Sequence, residues 1–144
     1  MPYKHILIAT DSTEHGEAVA ERGVALSKVF DARVTLLHVL RHLPEDIPAE
    51  AVPPEGIDKV EWLQEQARAH LADFGAKQSI KDFDVRVAVG APKTEIPRVA
   101  AEQGADLIIM GGHGVHGLEV ITGTTTDGVV HHAACDVLAV HVAK

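Results

Sequence analysis

Apolar and polar positions along the chain alternate between two periods, and the alternation is regular. His5-Ile6-Leu7-Ile8-Ala9 is a short apolar run, the pattern of a strand covered on both faces. The polar turn Thr10-Asp11-Ser12-Thr13-Glu14 follows. Val19, Gly23, Leu26 and Phe30 then recur at i, i+4, i+7 and i+11, which predicts one apolar stripe along a helix, with Glu17, Glu21 and Lys28 off it. Ser12 or Thr13 suits the start of that helix as a cap. Arg33 to Leu40 reads as a second strand.

Residues 41–56 hold four of the seven prolines and show no period, which predicts a surface loop. A second helix is predicted over Ile57–Phe74, with Val60, Leu63, Ala67, Leu71 and Phe74 on one face, Trp62 off it, and Gly75 as its stop. Val85–Val89 alternates as a half-exposed edge strand does. Thr94 is the expected cap of a third helix, Pro97 is expected in its first turn, where a missing N–H is tolerated, and Gly104 ends it. Asp106–Met110 is a fourth strand. The glycine-rich stretch Gly111–Gly123 leads to a last helix over Thr124–Ala134 and a fifth strand over Val137–Val142.

Strands joined by helices imply parallel pairing and right-handed crossovers. The prediction is an α/β fold, one domain over residues 1–144, with a doubly wound five-stranded parallel sheet and helices on both faces. The first, second and fourth strands are the most apolar and belong in the middle, giving the order 3-2-1-4-5. Ligands of such sheets bind beyond the carboxyl ends of the strands, where the order reverses. Here that place lies between Asp11 and Gly111.

Composition narrows the picture. Aromatic residues are only 3% of the chain, so the core must be built from Val, Ile, Leu and Ala. The formal net charge of −8 argues against nucleic acid or an anionic membrane as partner, since both favour a basic face. It does not oppose a small anion held by backbone N–H groups. Cys135 is the single cysteine, so neither an internal disulfide nor a zinc cluster is expected, and buried filler is its reading. With no long apolar segment or signal-peptide pattern, a cytoplasmic protein is expected.

The chemistry concentrates in residues 111–127. Glycines there allow close backbone approach to a ligand. Gly123-Thr124-Thr125-Thr126 falls where the last helix begins, and leading N–H groups of a helix attract anions. A phosphate chain held between the Gly111–Gly114 turn and Thr124–Thr126 needs no lysine. Plain backbone geometry and helix capping are the alternatives for the same residues. His113-x-x-His116 and the adjacent His131-His132 lack zinc spacing, so no metal site is expected.

The opening Tyr3–Asp11, the segment Val34–Val39, the tripeptide Gly90-Ala91-Pro92 and the stretch from Met110 through Gly123-Thr124 to Val140 resemble universal stress proteins, over the whole chain except residues 41–56. The ATP-binding branch of that family carries G-x2-G-x9-G-(S/T). This chain has Gly111-x2-Gly114, then eight residues, then Gly123-Thr124, a spacing one residue shorter. The resemblance implies ATP, ADP or AMP as ligand, with Mg²⁺ arriving on the phosphates. It implies that Asp11 contacts the ribose and adenine side, with Ala9 beside it. It implies that Val39 and Met110 border the base, although the sequence alone favours core packing for both. Gly111 and Gly114 would approach the phosphates, and Gly123, Thr124, Thr125 and Thr126 would hold them. It further implies a homodimer joined through the fifth strand, centred on Leu138, Val140 and Val142.

Three functions stay open at this point. The first is a nucleotide-binding stress-response protein with little or no turnover and no catalytic residue. The second is a slow ATPase or an enzyme of adenylate chemistry, against which stands the absence of an S-G-G-x-D-S loop and of a Walker A motif. The third is a nucleotide-free dimeric interaction module.

Overall fold

The computed structural model describes residues 2–10, 14–40, 55–56, 58–112 and 123–141. The elements run β1 (His5–Ala9), α1 (Glu14–Phe30), β2 (Arg33–Leu40), α2 (Lys59–Lys77), β3 (Phe83–Val89), α3 (Pro92–Gln103), β4 (Leu107–Gly111), α4 (Gly123–His132) and β5 (Asp136–Val140). All four strand pairings are parallel and the order is β3-β2-β1-β4-β5, as the apolarity of the strands predicts.

Successive side chains of a strand point to opposite faces, so the sheet separates two cores. Ile6, Ile8, Val34, Leu36, Leu107 and Ile109 meet Val19, Ala20 and Val24 of α1 and Leu71 of α2. Leu7, Ala9, Leu37, Val39, Ile108 and Met110 meet Ile96, Val99 and Ala100 of α3 and Val129 of α4. A large aliphatic side chain fully removed from water contributes about 2 kcal/mol. The exposed ion pairs, such as Arg98 with Glu95 and Glu102, contribute about 0–1 kcal/mol each. Burial of the two aliphatic layers therefore holds the fold, and the ion pairs decorate it.

Three helices stop in the same way. Asp31 (φ 54°), Ser79 (φ 58°) and Gly104 (φ 72°) adopt the left-handed conformation. The residue after each donates its N–H back into the helix, from Ala32 to Ser27 O, Ile80 to Gly75 O and Ala105 to Ala100 O. Gly104 is the stop the sequence predicts. Gly75 is not: α2 continues to Lys77, and Gly75 is buried inside it because Phe83 of β3 lies against its backbone. The start of α2 also shifts. Asp58 caps it by accepting the Glu61 N–H at 3.0 Å, so the helix begins at Lys59 instead of Ile57.

A second correction concerns α3. Ala91 precedes the helix without a side-chain cap, and Pro92, with its preset φ, occupies the first helical position. Thr94 is thus inside the first turn, and Pro97 lies beyond it, where its ring leaves the Lys93 carbonyl without the usual i+4 donor. Gly90 enters this turn at φ 148°, with its N–H on Leu40 O at 3.0 Å, a conformation that favours glycine.

Candidate functional site

β1 and β4 lie side by side, with Ile8 opposite Ile109. The chain leaves β1 into α1, which covers one face of the sheet, and leaves β4 toward α4, which covers the other. Both departures lie at the carboxyl ends of the central strands, the position where doubly wound sheets take ligands.

On the β1 side, Thr10 is held from several directions. Its N–H donates to Leu37 O at 2.9 Å. Its buried hydroxyl donates to Gly16 O in the first turn of α1 at 2.7 Å. Its carbonyl lies 3.2 Å from His38 Nδ1. A carbonyl only accepts, so Nδ1 carries the proton in that bond.

On the β4 side, the Gly112 N–H donates to Val140 O at 2.8 Å, carrying the β4–β5 ladder one step past the strand. The Thr126 hydroxyl lies 2.9 Å from Gly111 O and 3.4 Å from Gly112 O. A hydroxyl has one proton. In this arrangement the Thr126 side chain therefore serves the glycine carbonyls and ties the first turns of α4 to the end of β4. No acidic residue stands in the first turn of α4, where a carboxylate would compete with a bound anion.

The predicted residues fall into three groups. Ala9, Val39 and Met110 come together in one buried cluster on the α3/α4 face, at the ends of β1, β2 and β4. Gly111 ends β4, while Gly123, Thr124, Thr125 and Thr126 open α4. Asp11, Gly114, His113 and His116 lie outside the described residues, as do the caps Ser12 and Thr13 and most of the 41–56 segment. On the last strand, Leu138 is exposed, Val140 is buried in the core cluster shared with β1, β4 and α1, and Val142 lies outside the described residues.

Other features are chemically quieter. Burial, followed by the charges of Asp136 and Asp106, pushes the Cys135 thiol above its ordinary pKa, which disfavours a reactive thiolate. Among the described residues no group of three or more His, Cys, Asp or Glu could hold a metal ion. No helix among them is long and apolar enough to cross a membrane. Lys93 and Thr94 of α3 face Asp127, Gly128, His131 and His132 of α4 across an open cleft that sequence reasoning missed. Its two walls are 33 positions apart, counting from Thr94 to Asp127, and no periodicity links them.

The universal stress protein family model matches residues 2–141. The chain belongs to the universal stress protein family. It is 35% identical over 141 residues to universal stress protein A homolog 2 of Coxiella burnetii, covering 97% of this chain and 96% of that protein. Among solved structures, a universal stress protein in complex with cAMP is 21% identical with a TM-score of 0.71, covering 99% of this chain and all of that one. The universal stress protein of Archaeoglobus fulgidus in complex with dAMP is 17% identical with a TM-score of 0.65, covering 96% of this chain and 98% of that one. These two structures show the shared fold. They match the parallel sheet and its order, so the sequence resemblance and the observed architecture of this universal stress protein agree.

Proposed function

We propose that this universal stress protein binds an adenine nucleotide in the gap between the ends of β1 and β4 and acts in a stress response as a binding protein with little or no turnover. The observation that carries the reading is the junction itself: the first turns of α4 are bonded to Gly111 at the point where the sheet order reverses. A helix start there offers N–H groups to phosphate, and the strand ends beside it are backed by the buried apolar cluster of Ala9, Val39 and Met110. Relatives that hold cAMP and dAMP support the adenine and the phosphate as the recognised parts.

In this reading Asp11 takes the ribose and adenine side, and Gly111, Gly114, Gly123, Thr124, Thr125 and Thr126 take the phosphates, mainly through backbone groups. Mg²⁺ arrives with a triphosphate and keeps phosphate and water oxygens. The protein works in the cytoplasm as a homodimer paired through the edge of β5.

Native mass spectrometry of the protein as purified, followed by titration calorimetry with ATP, ADP and AMP, tests the reading. A co-purified adenine nucleotide, or saturable binding of at least one of the three, is expected. Failure of all three at millimolar concentration removes the ligand. It would favour instead a nucleotide-free dimeric module, a second reading supported by the buried state of Val39 and Met110 and by the use of the Thr126 hydroxyl within the fold.

A further inference from the structure

The last register pair between β1 and β2 is Ala9 with Leu37, so Thr10 is the residue at which the chain leaves the sheet. Its three polar groups each meet a different partner: Leu37 O, Gly16 O and His38 Nδ1. The hydroxyl bond reaches six residues forward, from the end of β1 to the first turn of α1. The hydroxyl donates to a carbonyl inside the helix, and the half-buried His38 secures the other side of the same residue.

We propose that Thr10 and His38 form a latch that fixes where β1 ends and α1 begins, and that this latch sets nucleotide affinity. The second half rests on the nucleotide reading above. His38 acts as a positioning residue through Nδ1, and Thr10 through its hydroxyl. The strand end then meets a ligand already ordered, so binding does not have to supply the ordering entropy.

The chemistry of the imidazole allows a sharp test. Asn places its amide nitrogen close to where Nδ1 stands, Gln places it nearer Nε2, and Leu keeps bulk without a donor. His38→Asn should bind ATP within about threefold of the wild type, while His38→Gln and His38→Leu should bind about tenfold more weakly, the scale of one lost hydrogen bond. Thr10→Ser should follow Asn, and Thr10→Val should follow Leu. Amide exchange across residues 11–16 in the full chain should quicken in the Gln, Leu and Val variants only. Wild-type affinity in His38→Leu overturns the latch, and so does equal loss in His38→Asn, which would make shape the cause. If the wild type binds no adenine nucleotide, the parent reading fails, and amide exchange alone decides the latch. Protection kept in His38→Asn and lost in His38→Leu upholds it, and equal protection in the two overturns it.

Discussion

Gly75 of α2 and Phe83 of β3 are in backbone-to-ring contact: a Cβ placed on Gly75 would lie 2.4 Å from Phe83 Cε2 and 2.6 Å from its Cζ. The helix can approach β3 this closely only because position 75 has no side chain. Gly75→Ala gains about 1 kcal/mol of helix propensity. It also drives the Phe83 ring off its seat, at an overpacking cost of about 1–3 kcal/mol. The expected net effect is a loss of about 1 kcal/mol in urea unfolding. In a Phe83→Leu background the same change should be neutral or stabilising, and an equal loss in both backgrounds would refute the contact as its cause.

His5 and Thr35 share a buried 2.7 Å hydrogen bond at the amino-terminal end of the sheet. Burial first, and the Arg33 charge second, hold the His5 pKa below its ordinary value, against smaller opposing effects of the Gln103 backbone, Asp106 and Asp84. The folded chain therefore keeps His5 neutral, while the unfolded chain takes up a proton as pH falls below about 6.5. The associated stability is complete above that pH and is lost as pH falls through the folded value. His5→Gln should narrow the stability difference between about pH 7.5 and about pH 5.5 in urea titrations. The same difference in both proteins would show that His5 does not titrate in that window.

Thr126 should matter first for the junction and only then for a ligand. Thr126→Val removes the donor to Gly111 O and is expected to lower stability by about 1 kcal/mol. Thr126→Ser keeps the hydroxyl and should fall well short of that loss. Thermal unfolding without nucleotide reads the difference. A Val variant as stable as the wild type would release the hydroxyl from this structural role.

The edge of β5 carries the proposed dimer. Leu138 is 38% exposed, whereas Val140 is only 4% exposed and already packed against its own core. Leu138→Glu should shift the protein toward monomer in light scattering with little change in the unfolding midpoint. Dissociation by Val140→Ala without loss of stability would contradict this assignment of the two side chains.

Much of the fold was legible because its signals are local. Uninterrupted apolar runs at 6–9 and 107–110 marked central strands, and helix-spaced residues such as Val19 and Gly23 marked the face that meets the sheet. The misreadings came where one residue type serves two ends. Gly75 resembles a helix stop but accommodates a ring from β3, a contact set by a partner eight residues away. Pro92 and Pro97 both suit a helix start, and Thr94 between them resembles a cap, so the sequence alone favoured the later of two competing signals. At the candidate site, the glycines and threonines led to the expectation of a place for an anion. They could not announce that the Thr126 hydroxyl would bond to Gly111, because that depends on how closely α4 docks on the end of β4. The role of His38 was equally hidden, since a histidine in an apolar strand gives no sign of which carbonyl it will meet.

The shared helix terminations leave this protein with an unused margin. A left-handed conformation costs a side-chain-bearing residue about 1 kcal/mol or more, and glycine adopts it without that strain. Only Gly104 is relieved, while Asp31 and Ser79 hold the same shape under strain at exposed positions. Replacing Ser79 with glycine should therefore raise the melting temperature by a few degrees without touching either core or the strand ends. A lineage carried into hotter surroundings would have a single-substitution route to heat tolerance that leaves ligand recognition alone.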